Sequence, residues 1–336
     1  MSIATLLYDK AKKQPLIRNC ATKLLSTPWI INSQPYQALE NKLIEHKHKK
    51  LEKQPLQLLH IEVTNHCNAA CIMCPNPTMT RIKAFMSDRV YDRSILEAAS
   101  SGVKTISIVS VGEPFLDKKL TSRIRAAKKL GLKVIVSTNG SLLKHQIAND
   151  VVDSGLDELH ISIDGHTKQT YESIRIGLNF DQVLSNVRQF MHARKASHNK
   201  HPKVMIRCVG LKQNQNELKS FQKFWHNIVD DCIVSHTHDW AGGVSKNFRG
   251  AFHSAALRRV PCRLIWKELM VHHDGAVVAC CHDYEGALKV GDIKHQPLTE
   301  IWNGKQLFLL RQAHLSRNLS GLPTCAKCHV NSVWWG

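Results

Sequence analysis

From Leu58 onward, short runs of β-branched and other apolar residues alternate with amphipathic stretches of helical period. The apolar runs predict strands at Leu58–Thr64, Thr105–Val111, Lys133–Thr138, Glu158–Ile163, Lys203–Leu211 and Asp231–Thr237. Between them the pattern predicts helices near 92–101, 118–130, 142–154, 180–195 and 215–229. The second of these runs into Lys128, Lys129 and Gly131, a basic last turn followed by the residue that most readily leaves a helix. Six strand–helix repeats imply an α/β fold with a parallel sheet, either a β/α barrel, partial or complete, or a doubly wound sheet. In both architectures ligands meet the carboxyl ends of the strands. The repeat stops near Pro261, where a Cys-rich tail begins with a hairpin-like stretch, Glu268–Cys281, turning at Asp274-Gly275. Residues 1–55, before the first strand, read as helical and basic.

Composition narrows the function classes. With 336 residues, 43% of them hydrophobic and 22% charged, the chain has the material for an ordinary core, which excludes global disorder. No run of about 18 apolar residues occurs, and Asp9, Lys10, Lys12 and Lys13 interrupt any signal-peptide core, so no transmembrane segment and a cytoplasmic protein are expected. The 46 Lys and Arg against 27 Asp and Glu leave a net +19, which calls for an anionic partner: a phosphorylated substrate, a nucleic acid or a membrane surface. No recognisable RNA-binding motif accompanies that charge, and the basic residues are dispersed, so nucleic acid ranks behind small anions without being excluded. An odd count of 11 Cys in a cytoplasmic chain points to metal binding rather than to a disulfide framework.

Residues with chemistry collect at the predicted strand ends: Thr64-Asn65-His66-Cys67, Gly112-Glu113-Pro114, Asn139-Gly140, Asp164-Gly165, and His236, His238, Asp239 and Trp240. The spacing Cys67-x3-Cys71-x2-Cys74 brings three thiolates to one centre. Three suffice for a [4Fe–4S] cube with one iron left open, whereas zinc would need a fourth ligand, which His66 beside Cys67 is badly placed to supply. Zinc and unrelated buried cysteines remain the alternatives on spacing alone. The tail supplies Cys262, Cys280, Cys281 and the pair Cys325-x2-Cys328, enough for a closed four-thiolate site, either a cluster or a zinc ribbon.

Cys67-x3-Cys71-x2-Cys74 after the first strand, with Gly112-Glu113-Pro114 after the second, resembles the radical S-adenosylmethionine (SAM) superfamily over roughly residues 58–240. The resemblance implies a partial (β/α)6 TIM-like barrel with a small C-terminal Cys-rich hairpin/helix appendage. It divides the chain into a helical extension (1–55), a core barrel (56–245) and an auxiliary-cluster domain (246–336). It further implies that the open iron chelates SAM and that one electron cleaves SAM to methionine and a 5′-deoxyadenosyl radical, which abstracts hydrogen from substrate. By position, Glu113 within Gly112-Glu113-Pro114 would accept the methionine ammonium. Ser137 and Asn139 would lie by the ribose, Ser162 and Asp164 would reach ribose or carboxylate, and Arg175 would pair with the SAM carboxylate. Met73 stands where the family often has an aromatic residue, and its side chain can pack on adenine.

The tail resembles the auxiliary-cluster appendage of SPASM and Twitch type, through Gly275 five residues before Cys280 and the stretch Gly291-Asp292-Ile293 to Glu300-Ile301-Trp302-Asn303-Gly304. This implies Cys262, Cys280, Cys325 and Cys328 as ligands of a second [4Fe–4S] cluster, with Cys280 preferred to Cys281. Cys20, Cys208, Cys232 and Cys281 are left as small buried hydrophobes. A fully ligated auxiliary cluster suits electron transfer or structural support, and hence oxidation or epimerisation of a small polar substrate such as a sugar, cyclitol or nucleotide. The candidate substrate-side residues are His236, His238, Asp239 and Trp240 with Arg207, a His/Asp pair being suited to acid–base work. A reductant such as flavodoxin or ferredoxin is the expected protein partner. The competing readings are a peptide-modifying maturase of RiPP or sulfatase type, an RNA-modifying enzyme, and a non-enzymatic zinc- or cluster-binding scaffold.

Overall fold

A computed structural model describes residues 54–198, 200–236, 240–244 and 261–328, with isolated positions before 54. The expected helix of 1–55 lies largely outside the described residues, as do Cys20, Thr237, His238 and Asp239. All six predicted strands form and start where the sequence places them: β1 (Leu58–Ile61), β2 (Thr105–Ile108), β3 (Lys133–Thr138), β4 (Glu158–Ser162), β5 (Lys203–Gly210) and β6 (Asp231–His236). Each pairs in parallel with its chain neighbour. Several end earlier than predicted, because the apolar runs continue into loops whose polar groups bond across strand ends instead of along the ladder. The helices are α1 (Asp88–Ser100), α2 (Leu120–Lys129), α3 (His145–Val152), α4 (Lys168–Ile174), α5 (Phe180–Ala196) and α6 (Leu218–His226). The short α4 was not predicted. Its signal is the Thr167 hydroxyl, which accepts from the Thr170 amide and caps a helix too short for periodicity to reveal.

Strand parity separates two chemistries. Leu59, Ile61, Ile106, Ile108, Val134, Val136, Leu159, Ile161, Val204 and Ile206 are each 0% exposed and share one core with helix residues such as Ile124, Val151, Phe190 and Trp225. Each such side chain contributes roughly 1.5–3 kcal/mol on burial. The alternate positions present His60, Ser107, Ser137, His160, Ser162 and Arg207 beside Ile135, Met205 and Val209, so the opposite face of the sheet carries most of the strands' polar groups.

Among the described residues the sheet is open and has nine strands, in the order β6-β5-β4-β3-β2-β1-β7-β8-β9. The predicted hairpin forms as β7 (Glu268–Val271) and β8 (Ala276–Val278), followed by β9 (Lys289–Asp292). Unforeseen was the parallel pairing of β7 on β1, with Leu58 opposite Glu268 and Ile61 opposite Val271, which makes the tail a continuation of the sheet. Helices α7 (Leu298–Trp302), α8 (Lys305–Leu315) and α9 (Pro323–Lys327) complete it. The Leu298 amide donates to Glu97 of α1, and buried Arg311 lies over the Trp302 ring and donates to the carbonyls of Ile265 and Trp302. No helix among the described residues is long and apolar enough to cross a membrane.

Candidate functional site

The loop after β1 carries Cys67, Cys71 and Cys74 around a small apolar cluster of Cys71, Met73, Ile174 and Leu211. Backbone bonds fix its course: the amides of Ala70 and Ile72 donate to the carbonyls of Ile176 and Ile174, and the Cys74 amide donates to the Cys71 carbonyl. Buried Asn76 closes the loop by donating to the carbonyls of Asn65 and Val111. Burial pushes all three thiols up, Cys74 to about 12. As free thiols they are inert, whereas a bound metal would deprotonate them outright, so this donor set fits a cluster far better than a nucleophile.

Gly112 explains how the β2 loop reaches this one. A Cβ there would lie 2.3 Å from the Thr64 carbonyl oxygen and 2.8 Å from that of His66, so only glycine allows the approach, and the next amide, Glu113, donates to the His66 carbonyl. Glu113 is turned inward and 1% exposed. Its carboxylate accepts from the Phe115 amide, the Thr138 hydroxyl and the Asn139 amide. Burial pushes its pKa up, against the pull of those donors. Asn139 in turn donates to Asn68, whose own amide donates to Ser141, so one polar net joins the cysteine loop to the ends of β2 and β3. Thr138, Asn68 and Asn76 were missed by sequence reasoning. The signal available for Thr138 and Asn68 was adjacency to Asn139 and Cys67.

At the end of β4, fully buried Asp164 pairs with Arg175 just past α4; both Nε and NH2 lie 2.6 Å from the same carboxylate oxygen. The other Asp164 oxygen accepts from the Val209 amide, 2.6 Å away. The remaining arm of Arg175 places NH1 3.7 Å from Cys71 Sγ. Asp164 is thus committed to protein partners, while Arg175 faces the cysteine loop. Ser137 and Ser162 stand half-buried on the polar face of the sheet, and Met73 is buried beside Cys74. Pro114 opens the short turn that Glu113 caps.

A second buried pair ties the loop to the tail. Arg81 makes a bidentate contact with Glu62, at 2.8 and 2.7 Å, and donates to the Tyr284 carbonyl; the Thr80 amide and hydroxyl donate to Glu285. Burial raises the Glu62 pKa, but Arg81, His272 and Ser110 outweigh it and leave the carboxyl below its ordinary value. Trp240 wedges between the two regions. Its indole N–H donates to the Met73 carbonyl and its ring meets His282 and Tyr284 edge-on. Trp240 and Ala241 both have positive φ, 50° and 57°, a conformation rare outside glycine that is met where placement matters.

In the tail, Cys262, Cys280, Cys325 and Cys328 line one cavity walled by Leu264, Ile265, Leu288 and Ala241, with His282 and His314 at its margin. Four thiols converging in an apolar enclosure fit a closed metal site. Cys281 does not line this cavity and donates to Glu268, which also lies 3.3 Å from His60, although the Cys281 sulfur is within 4.8 Å of that of Cys280 and 3.6 Å from His282 Nδ1. Cys208 and Cys232 are buried. Of the substrate-side candidates, Arg207 sits on the polar face of β5 opposite Ser162 and Ile233, and His236 ends β6 opposite Gly210; His238 and Asp239 lie outside the described residues.

A family model of the Radical SAM superfamily matches residues 61–224, and one for the SPASM iron–sulfur cluster-binding domain matches 262–329. Among similar proteins, an uncharacterized protein of Methanocaldococcus jannaschii is 32% identical over 52% of this chain and 55% of its own length. A tungsten-containing aldehyde ferredoxin oxidoreductase cofactor-modifying protein of Pyrococcus furiosus is 20% identical over 83% of this chain and 88% of its own. A probable GTP 3',8-cyclase of Pyrococcus horikoshii is 27% identical over 40% and 43% respectively. The chain therefore spans about half the length of the first and third of these relatives. Among solved structures, Streptococcus suis SuiB bound to S-adenosylmethionine superposes with a TM-score of 0.64 at 17% identity, covering 92% of this chain and 79% of that one. BtrN in complex with AdoMet and 2-DOIA gives 0.55 at 15%, covering 82% and 93%. At such identities the likeness is one of fold.

Proposed function

Because the chain belongs to the radical SAM superfamily and carries a C-terminal SPASM domain, we propose that it oxidises or epimerises a small polar, anionic substrate, a nucleotide-like one foremost. The cofactors are a SAM-binding [4Fe–4S] cluster, an auxiliary cluster and SAM. When bound and reduced by one electron, they supply a 5′-deoxyadenosyl radical that takes hydrogen from the substrate. In this reading Cys67, Cys71 and Cys74 hold the first cluster, and Cys262, Cys280, Cys325 and Cys328 the second. Asn139 and Ser137 orient the ribose, Met73 lies along the adenine, and Arg175 directs its free N–H donors at the SAM carboxylate. Glu113 holds the β2 and β3 loops together and offers its remaining lone pair to the methionine ammonium.

The observation that carries the substrate class is the row of Ser107, Ser137, Ser162 and Arg207 on one face of the sheet, beside His60 and His160, which already pair with Glu268 and Glu158. An apolar guest would leave the serines and Arg207 without partners. The net +19 and the similarity to proteins named GTP 3',8-cyclase favour an anionic, nucleotide-like member of the class. Arg207 and His236 are the substrate-side groups, joined by His238 and Asp239 as an acid–base pair. A flavodoxin or ferredoxin in the cytoplasm supplies the electron. Substrates deuterated at carbon, offered singly with SAM and dithionite, test the reading: label should enter 5′-deoxyadenosine from a nucleotide, sugar or cyclitol. Label transfer from a peptide alone would replace this substrate class with the maturase reading.

A further inference from the structure

We infer that Arg175 sets the reduction potential of the cluster held by Cys67, Cys71 and Cys74, raising it through an N–H···S contact to Cys71; this rests on the reading of those cysteines as cluster ligands. Three independent features hold the guanidinium in place. Its Nε and NH2 are locked on Asp164, itself 0% exposed and tied to the Val209 amide. The Asn214 side chain donates to the Asp164 carbonyl and fixes that strand end. The residues on either side of Arg175 receive the cysteine loop, since the carbonyls of Ile174 and Ile176 accept the amides of Ile72 and Ala70. The backbone register therefore sets Arg175 opposite Cys71, and the carboxylate behind it turns NH1 toward the sulfur at 3.7 Å.

The consequence follows from charge. A cube with three thiolates is anionic, and reduction adds a further negative charge without moving an atom far. A cation and a hydrogen-bond donor at one sulfur stabilise the reduced form more than the oxidised form, which raises the potential. The Arg175–Asp164 pair has no net charge, yet its positive end is the one that faces Cys71. Arginine stays protonated at every working pH, so the contribution is constant. Binding the SAM carboxylate is a separate use of the same side chain, because the guanidinium has five N–H donors and the contacts to Asp164 and Cys71 leave donors over.

The test is an EPR-monitored redox titration of the reconstituted holoprotein without SAM, following the signal that a parallel sample shows to respond to SAM. Arg175→Met should shift that signal to a more negative potential by enough to change the reduced-to-oxidised ratio at least tenfold, about 59 mV for one electron. Arg175→Lys, which keeps the charge but loses the fork, should shift it less, and the auxiliary signal should stay put in both. Should Arg175→Met fail to hold iron, Arg175→Lys alone must still titrate below wild type. An unshifted potential, even with SAM affinity lost, overturns the inference while leaving the cluster reading intact. A wild-type protein with no SAM-responsive cluster overturns both.

Discussion

The two cysteine sites use the same ligand atom in opposite surroundings. Cys67, Cys71 and Cys74 sit on one loop, three in number, with a charged pair and a polar net pressed against them. Cys262, Cys280, Cys325 and Cys328 come from three separate segments between residues 262 and 328 and converge in a pocket walled by Leu264, Ile265 and Leu288. Three thiols would leave one iron of a four-iron cube open amid hydrogen-bonding groups, which suits binding and chemistry. Four would leave none open, and their apolar surroundings suit holding an electron or the fold. Thiolate count and neighbourhood, rather than ligand type, separate a reactive centre from a closed one.

Removing one ligand from each site is the strongest way to break that contrast. Cys71→Ala should abolish 5′-deoxyadenosine formation and cost about four of the roughly eight irons expected from two four-iron cubes, read by product assay and iron analysis. Cys280→Ala should cost a similar share of iron but preserve SAM cleavage, with only substrate conversion lost. Equal loss of SAM cleavage in both variants would erase the distinction between open and closed sites.

The join between the two regions gives a smaller effect. Arg81→Met leaves the buried Glu62 carboxylate without its bidentate partner, which should lower unfolding free energy by about 3–5 kcal/mol in a denaturant titration of the reconstituted protein. Glu113→Gln replaces one acceptor oxygen with a donor facing N–H or O–H groups. That mismatch should lower stability, and loss of the charged contact to the methionine ammonium, about 1.5–3 kcal/mol, should appear as roughly tenfold or more weaker SAM binding in anaerobic titration; unchanged affinity would contradict its placement. The smallest effect belongs to Cys281→Ala. Its thiol faces Glu268, so iron content should stay at wild-type level, and a loss equal to that in Cys280→Ala would show that the auxiliary ligand is misassigned.

The sheet was legible because its outer face is a run of Leu, Ile and Val at every second position, interrupted by Cys208 and Cys232, and is buried under amphipathic helices. The parallel docking of β7 on β1 was not, since nothing local in Glu268–Val271 distinguishes a hairpin arm from the strand that extends the sheet. Motif position singles out Cys67, Cys71, Cys74, Glu113 and Arg175 as candidates, and the fold sets the loop of Glu113 and the side chain of Arg175 against the cysteine loop. What spacing does not encode is the pairing of the surrounding groups: Thr138 and Asn68 are marked only by adjacency to Asn139 and Cys67, and they, Asn76 and Arg81 act through contacts across 7 to 203 residues of sequence. Asp164 shows the limit most plainly. Motif position suggests a ligand-facing carboxylate, whereas the fold spends it on Arg175 and the Val209 amide.

The most direct test of the whole account is to reconstitute the protein anaerobically, add SAM and dithionite, and quantify 5′-deoxyadenosine alongside bound metal. The account predicts about eight irons per chain and 5′-deoxyadenosine formation that disappears in Cys71→Ala. About one zinc per chain and no SAM cleavage would contradict it.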